Sequence, residues 1–556
     1  MNRSTVVKLI ALLLALVVPA GCLGACSAGS GAAAVFNNGG EADEAEADLE
    51  GYAVILDTEP ETADFQRTTT SYTVPRNVFD RLVTQQDDGK GNIEIVPSLA
   101  ESWEVSKDGR TYAFHLREGI QFSNGNYLTA SDVKYTFTRL LTYPDTVSHE
   151  IAAVIEGAEG LEKGEATDFK GIKVLGDLDF TITLEKPFQA FLASLASPAA
   201  SILDEDTVRK AGDSFGTDPE VTVGTGPFIM QEWEHGNGML LKANKECWSG
   251  APGVEGLDLR FMEEQEEIRS LFESGGLDIV DLNNVGYYAE YYIHGDIYQK
   301  RLYRFPRVAI VYIALNESKK PLGDVRVRKA LQLALDRQVI FDAVYCGRGE
   351  LENGIYPHGL YGFDPDLPKI PYDPDTAKSL LSEAGYADGF DLEISVKDSS
   401  TQEEKTMMEL AATMWKKIGV NAKVNVINTE DFMKRRTTGD LTCFTAMWTA
   451  DYNDPDNFIY TFFGNEENTT FRSLCYKDED IMKRVRGARM ILDPEKRIKE
   501  YQDLQKIIVQ DDAAWIPMFS RLRFYVTSER LKGVKPQWGG VIDDVYRYIY
   551  FDDKDK

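Results

Sequence analysis

From residue 48 to residue 556 no Gly/Ser/Pro-rich stretch or long charge run interrupts the chain. Single hydrophobic cores rarely grow beyond about 250 to 300 residues, so an unbroken body of this length must divide into two or three lobes. Lacking a flexible linker, those lobes have to be joined by ordered crossings. No internal repeat is visible that would make a solenoid the alternative.

Local patterns indicate what the lobes contain. Trp103 and Val105 alternate with polar residues, Lys107-Asp108-Gly109 supplies turn chemistry, and Tyr112, Phe114 and Leu116 alternate again, which predicts a hairpin. Thr129 and Asp132 form a capping box ahead of Val133, Phe137, Leu140 and Leu141 at helical spacing. Ile172 and Val174, a Gly176-Asp177 turn, and Phe180, Ile182 and Leu184 predict a second hairpin. Residues 324–344 and 404–417 read as amphipathic helices, and 390–396 and 422–427 as short strands. Such alternation predicts an α/β lobe with a largely covered sheet.

The first residues differ from the rest. Arg3 and Lys8 precede an uncharged apolar run from Leu9 to Ala20, too short for a transmembrane helix, which needs about 20 apolar residues. It reads as a signal peptide, residues 1–25, ending in Leu23-Gly24-Ala25-Cys26. Small residues directly before a Cys resemble a lipobox, so Cys26 is the expected lipid-attachment site. Cys22, with Pro19 three residues before it, is the alternative. Residues 26–47 then form a flexible, self-repelling acidic tether. Several acyl chains, at roughly 0.8 kcal/mol per buried methylene, suffice for stable anchoring.

Sixty Lys plus Arg face 90 Asp plus Glu, a formal charge of −30. That balance, with no basic run, excludes a nucleic-acid partner. Cys247, Cys346, Cys443 and Cys475 remain after Cys26, and outside the cytoplasm they permit disulfides of three connectivities. Sequence alone does not choose among them, and short separation is the sole argument for Cys443 with Cys475. No CxxC occurs, and His115, His149, His235, His294 and His358 are scattered, so neither a metal site nor a cofactor is expected.

Several blocks resemble the extracytoplasmic solute-binding proteins of ABC importers, specifically the peptide/nickel group, family 5. Leu99-Ala100-Glu101-Ser102-Trp103 through Asp108-Gly109, Tyr112 to Phe122 and Leu128 to Val133 match its signature block. Val223-Gly224-Thr225-Gly226-Pro227-Phe228 with Trp233 and Trp248, Pro321 through Arg337, and Tyr372-Asp373-Pro374 to Tyr386 follow in the family's order. The resemblance implies a class II periplasmic-binding-protein-like α/β fold. It has two lobes, a hinge and an extra α/β subdomain. Lobe one would comprise 48–80, 219–306 and 520–556, the subdomain 81–218, and lobe two 307–519. It further implies a monomeric receptor, not an enzyme, that hands peptides to a permease and its ATPase.

Within Trp448-Thr449-Ala450-Asp451-Tyr452-Asn453-Asp454-Pro455, the resemblance places Asp451 against the ligand's α-ammonium. Desolvated ammonium groups require a fixed carboxylate, because charge-assisted bonds are roughly twice as strong as neutral ones. A turn-forming Asp is the plain alternative. Peptide backbone is expected to bind by strand addition, to Thr69, Thr70 and Ser71 in lobe one and to Met447, Trp448, Thr449 and Ala450 in lobe two. Asn283 and Tyr312 fall at pocket positions of the oligopeptide binders.

One departure concerns the ligand carboxylate. Relatives place an Arg where this chain has Thr445, or near Lys397 and Asp398. Its binding is therefore left to Lys319, Lys320 or Lys397, or unspecified, which favours a longer or C-terminally modified peptide. Alternatives are a metal-chelate cargo, a peptide-sensing receptor, or a hydrolase. For the last, Gly212-Asp213-Ser214-Phe215-Gly216 satisfies GxSxG, but the elbow needs an apolar strand before it, and residues 206–210 are polar.

Overall fold

A computed structural model describes residues 49–68, 71–87, 93–535, 538 and 546–552. The signal peptide, Cys26, the tether, Thr69 and Thr70 lie outside the described residues.

Turn chemistry sets the first hairpin. Gly109 adopts φ +69°, joining strands Ala100–Val105 and Thr111–Leu116 with Trp103 opposite Phe114. Tyr112, Phe114 and Leu116 are buried, whereas Val105, on the outer strand, is 46% exposed. Strands Asp179–Thr183 and Ile172–Val174 complete a four-stranded antiparallel sheet. Helix Ala130–Thr142 starts at the expected capping box and buries Val133, Phe137, Leu140 and Leu141. Its Arg139 forms an ion pair at 2.6 Å with Asp64, with both side chains buried.

The main sheet has eleven strands among the described residues. Its order is Val420–Ile427, Phe390–Lys397, Cys443–Thr449, Leu302–Leu315, Trp515–Thr527, Ile279–Asp281, Tyr52–Asp57, Gly256–Phe261, Gly238–Ala243 and Phe228–Glu234, with Gly349–Leu351 attached to the side of 515–527. The two longest strands, 302–315 and 515–527, pair antiparallel and connect the halves. Their register shifts between Pro306 and Ile310 and between Val311 and Tyr312. One apolar cluster packs the small sheet, through Tyr112, Phe114 and Phe180, with Phe458, Phe462 and Trp515 of the later segments. Arg489 lies 4.4 Å from the Phe188 ring and 3.8 Å from that of Tyr460.

The glycines of the Val223–Phe228 block have a packing reason. A Cβ on Gly224 would sit 2.0 Å from the Val78 carbonyl oxygen, and one on Gly226 would sit 2.6 Å from its carbon. Thr225 and Trp248 both donate to Asp80, at 3.2 and 2.9 Å.

Two sequence expectations are corrected, and the rejection of a nucleophile elbow at Ser214 agrees with the structure. Residues 324–344 form two helices, Val325–Leu333 and Arg337–Tyr345, because the Asp336 carboxylate accepts from Val339 N and caps a second start. Gly212–Ser214 is a 3₁₀ turn following helix Glu205–Ala211, so no strand leads into Ser214 and the nucleophile-elbow geometry is not formed. Cys443 and Cys475 are not bridged: Cys443 is buried in its strand, the Cys475 thiol faces the Gly439 carbonyl at 3.9 Å, and Cys247 and Cys346 are also free.

Candidate functional site

Strand 443–449 carries the informative run into the centre of the molecule. It pairs with 302–315 from Cys443 opposite Leu315 to Thr449 opposite Ala309, and the Ala450 amide continues to the Val308 carbonyl at 2.9 Å. Pro455 then opens helix Asp456–Phe463, since its fixed φ suits a helix start. Asp451 thus falls in the short bend between a strand end and a helix start.

Three carboxylates crowd this bend, and their partners separate them. Asp454 accepts from both terminal nitrogens of Arg497, at 2.8 and 2.6 Å, with both side chains buried. Asp456 is paired with Arg489 at 3.1 Å and accepts from Tyr501 at 3.1 Å. Asp451 has no ion-pair partner among the described residues. Its Oδ2 accepts from Asn457 Nδ2 at 2.9 Å, while Asn457 Oδ1 accepts from the Asp451 amide at 3.0 Å and from Trp448 Nε1 at 3.2 Å.

Burial pushes the Asp451 carboxyl up to about 7, the Asn457 hydrogen bond opposes this, Glu150 raises it further and Arg472 lowers it. A buried carboxylate without an ion pair and perturbed in this way marks a candidate functional position. Tyr72, near enough to feel the Asp451 charge, donates to Thr68 O at 3.2 Å. Its phenol is pushed above the ordinary range, by burial first and by the Asp451 charge next. Ser71 beside it is buried, with its hydroxyl accepting from Thr73 N at 3.4 Å.

Next to Asp451 lies an open strand edge. On the side away from 302–315, strand 443–449 is paired with 390–397 at Cys443 and Phe444 alone. Beyond Phe444 no strand among the described residues covers the edge, and Met447, Trp448 and Thr449 are half-buried there. Unpaired backbone of this kind accepts an extended chain by strand addition.

The other predicted residues divide. Tyr312 is 3% exposed and its ring packs 4.3 Å from Trp515 and 5.5 Å from Phe462, a core position beneath the site. Asn283 is exposed, and both its amide and its side chain donate to Asp281 at 2.9 Å, a local cap. Lys319 is engaged by Asp440 at 2.6 Å. Sequence reasoning missed Asn457, Glu150, Tyr72, Arg436 and Arg472. None carries a local motif, and each arrives from a separate stretch of chain.

The residues from 94 to 470 match the model of "Bacterial extracellular solute-binding proteins, family 5 Middle". The chain belongs to this family. It is 31% identical over 486 residues to heme-binding protein A of Haemophilus influenzae, covering 84% of this chain and 85% of that protein. It is 30% identical over 459 residues to the dipeptide-binding protein of Escherichia coli, covering 80% and 84%. Among solved structures, HbpA2 from Haemophilus parasuis superposes with a TM-score of 0.71 at 26% identity, over 90% of this chain and 99% of that one. The ABC transporter-associated periplasmic binding protein DppA from Helicobacter pylori, in complex with peptide STSA, gives 0.73 at 24%, over 90% and 98%, a likeness of fold. The family 5 protein therefore has the class II periplasmic-binding-protein-like α/β fold, in a family of binding proteins rather than enzymes.

Proposed function

We propose that this family 5 protein is the substrate-binding lipoprotein of a peptide ABC importer. In this reading, Cys26 carries the lipid, residues 26–47 tether the body, and the lobes bounded as given above close over the cargo by bending strands 302–315 and 515–527 at their register shifts. The permease and ATPase then receive the peptide from a monomeric receptor. Asp451 neutralises the peptide's α-ammonium, Met447 to Ala450 and the segment from Thr69 to Ser71 hold its backbone, and side chains project into the cavity.

The observation that carries this reading is that Asp451, alone of the three carboxylates of the bend, has no ion-pair partner among the described residues and lies beside an open strand edge. Dipeptide-binding relatives support the peptide class. A second reading, a heme or other metal chelate as cargo, draws on the relative named for heme.

The two are separated by titrating the protein with a randomised dipeptide pool and with hemin. Peptide cargo predicts saturable binding of the pool that Asp451→Asn weakens by several kcal/mol, the loss for a desolvated charge pair. Tight hemin binding with no response to peptides would overturn it.

A further inference from the structure

Arg472 lies 4.6 Å from the Trp448 ring, 5.4 Å from that of Phe462 and 5.4 Å from that of Phe471, and Arg436 sits 5.9 Å from the same Phe471 ring. The two guanidinium groups are neighbours, one from helix Thr429–Thr437 and the other at the end of helix Glu466–Phe471. Neither forms an ion pair with a carboxylate among the described residues, and the Nε of each is buried without a hydrogen-bond partner. In a chain where acidic residues outnumber basic ones 90 to 60, unpaired adjacent cations are unexpected. Three buried arginines are matched by carboxylates, Arg139 by Asp64, Arg328 by Glu317 and Arg497 by Asp454, and buried Arg337 donates to the Glu352 and Pro517 carbonyls. Arg435, one residue from Arg436, pairs with Glu393 and Asp440.

Like charges brought together out of water repel. Burial, and then the Arg436 charge, push Arg472 down to about 10. The arrangement is relieved by an anion that accepts from both forks.

Position fixes which anion. Asp451 shares Asn457 Oδ1 with Trp448, and Arg472 covers the ring of that same Trp448. The Asp451 carboxylate and the Arg472 guanidinium, neither in an ion pair among the described residues, thus flank one indole, with Arg436 beside Arg472 at the Phe471 ring. Two extended residues span about 7 Å, at 3.3 to 3.6 Å each, which is on the scale of an indole's length.

We propose that Arg436 and Arg472 together receive the C-terminal carboxylate of the ligand whose ammonium meets Asp451. The cleft then selects short zwitterionic peptides, dipeptides and tripeptides with both ends free, and disfavours long or C-terminally blocked ones. This reverses the length expectation drawn from Thr445 and Lys397, and it rests on the peptide reading above.

The test uses the purified full-length chain and calorimetric titration with a randomised dipeptide pool, the same pool C-amidated, the same pool N-acetylated, and a randomised hexapeptide pool. Amidation should weaken binding to the wild type by at least about 30-fold, the low end for removing one member of a buried charge pair. In Arg436→Gln and Arg472→Gln that amidation penalty should shrink below about threefold. Because the penalty is a ratio within one variant, a general loss of affinity does not imitate it. Arg472→Lys retains the charge without the planar fork, gives a second variant should glutamine impair folding, and should show an intermediate penalty. Equal binding of free and amidated pools by wild type, a full penalty persisting in the variants, or preference for hexapeptides overturns the carboxylate site while leaving the peptide reading intact. Failure of every peptide pool to bind overturns both.

Discussion

Ammonium capture by Asp451 should depend steeply on pH, and the direction follows from its surroundings. Its carboxyl is held near 7 chiefly by burial, with Glu150 adding to the effect and Asn457 and Arg472 opposing it. Only the ionised form neutralises an ammonium, so protonation competes with the peptide. Between pH 7.5 and 5.5 the ionised fraction falls from about three quarters to about one thirtieth. The peptide amine, with a pKa of about 7.7 to 8.0, becomes slightly more cationic over the same range. The net loss is about 20-fold in affinity, or about 1.8 kcal/mol. Above pH 8 the amine deprotonates and affinity falls again, giving a maximum between about 7 and 8. Binding at pH 6 should release about 0.9 proton, read by titration calorimetry in buffers of different ionisation enthalpy. An affinity constant within twofold from pH 5.5 to 7.5, or no proton release, would refute the assignment of this carboxylate.

Three further outcomes are expected. Because the Asp451 carboxyl is raised in the folded state, the stability it contributes is present below its unfolded value near 3.9 and is lost as pH rises through about 7. Ligand-free Asp451→Asn should therefore be more stable than wild type at pH 8, by about 1 to 3 kcal/mol in urea unfolding, and show no such gain at pH 4. Arg497→Ala strands the buried Asp454 carboxylate and should cost about 3 to 5 kcal/mol by the same assay. The four thiols of the body are free, so dithiothreitol should leave the melting temperature unchanged and all four should titrate with a thiol reagent after unfolding, with exposed Cys346 reacting first in the native protein.

What sequence revealed was local. Lys107-Asp108-Gly109 sets a turn whichever lobe it serves, and Thr129 with Asp132 caps a helix from within four residues, so both were legible before any packing was known. The same locality misled at 324–344, where apolar spacing continues through Leu335 although Asp336 starts a second helix. Asp451 was singled out only through resemblance, since Asp454 and Asp456 look equally acidic on paper. What distinguishes them is Arg497 and Arg489, more than 30 residues downstream, which neutralise two of the three. Arg436 and Arg472 read as ordinary surface cations, because nothing adjacent in sequence reveals that folding brings them together at Phe471, with Arg472 above Trp448. The open edge at Met447 to Thr449 likewise belongs to the sheet: it exists because strand 390–397 departs after Phe444.

The most direct measurement is a crystal structure of the protein bound to a dipeptide drawn from the pool. Ammonium capture by Asp451 predicts the terminal amine within hydrogen-bond distance of its carboxylate, with the peptide backbone along strand 443–449. A peptide amine lodged elsewhere, with Asp451 bonded to Asn457 and water alone, would contradict it.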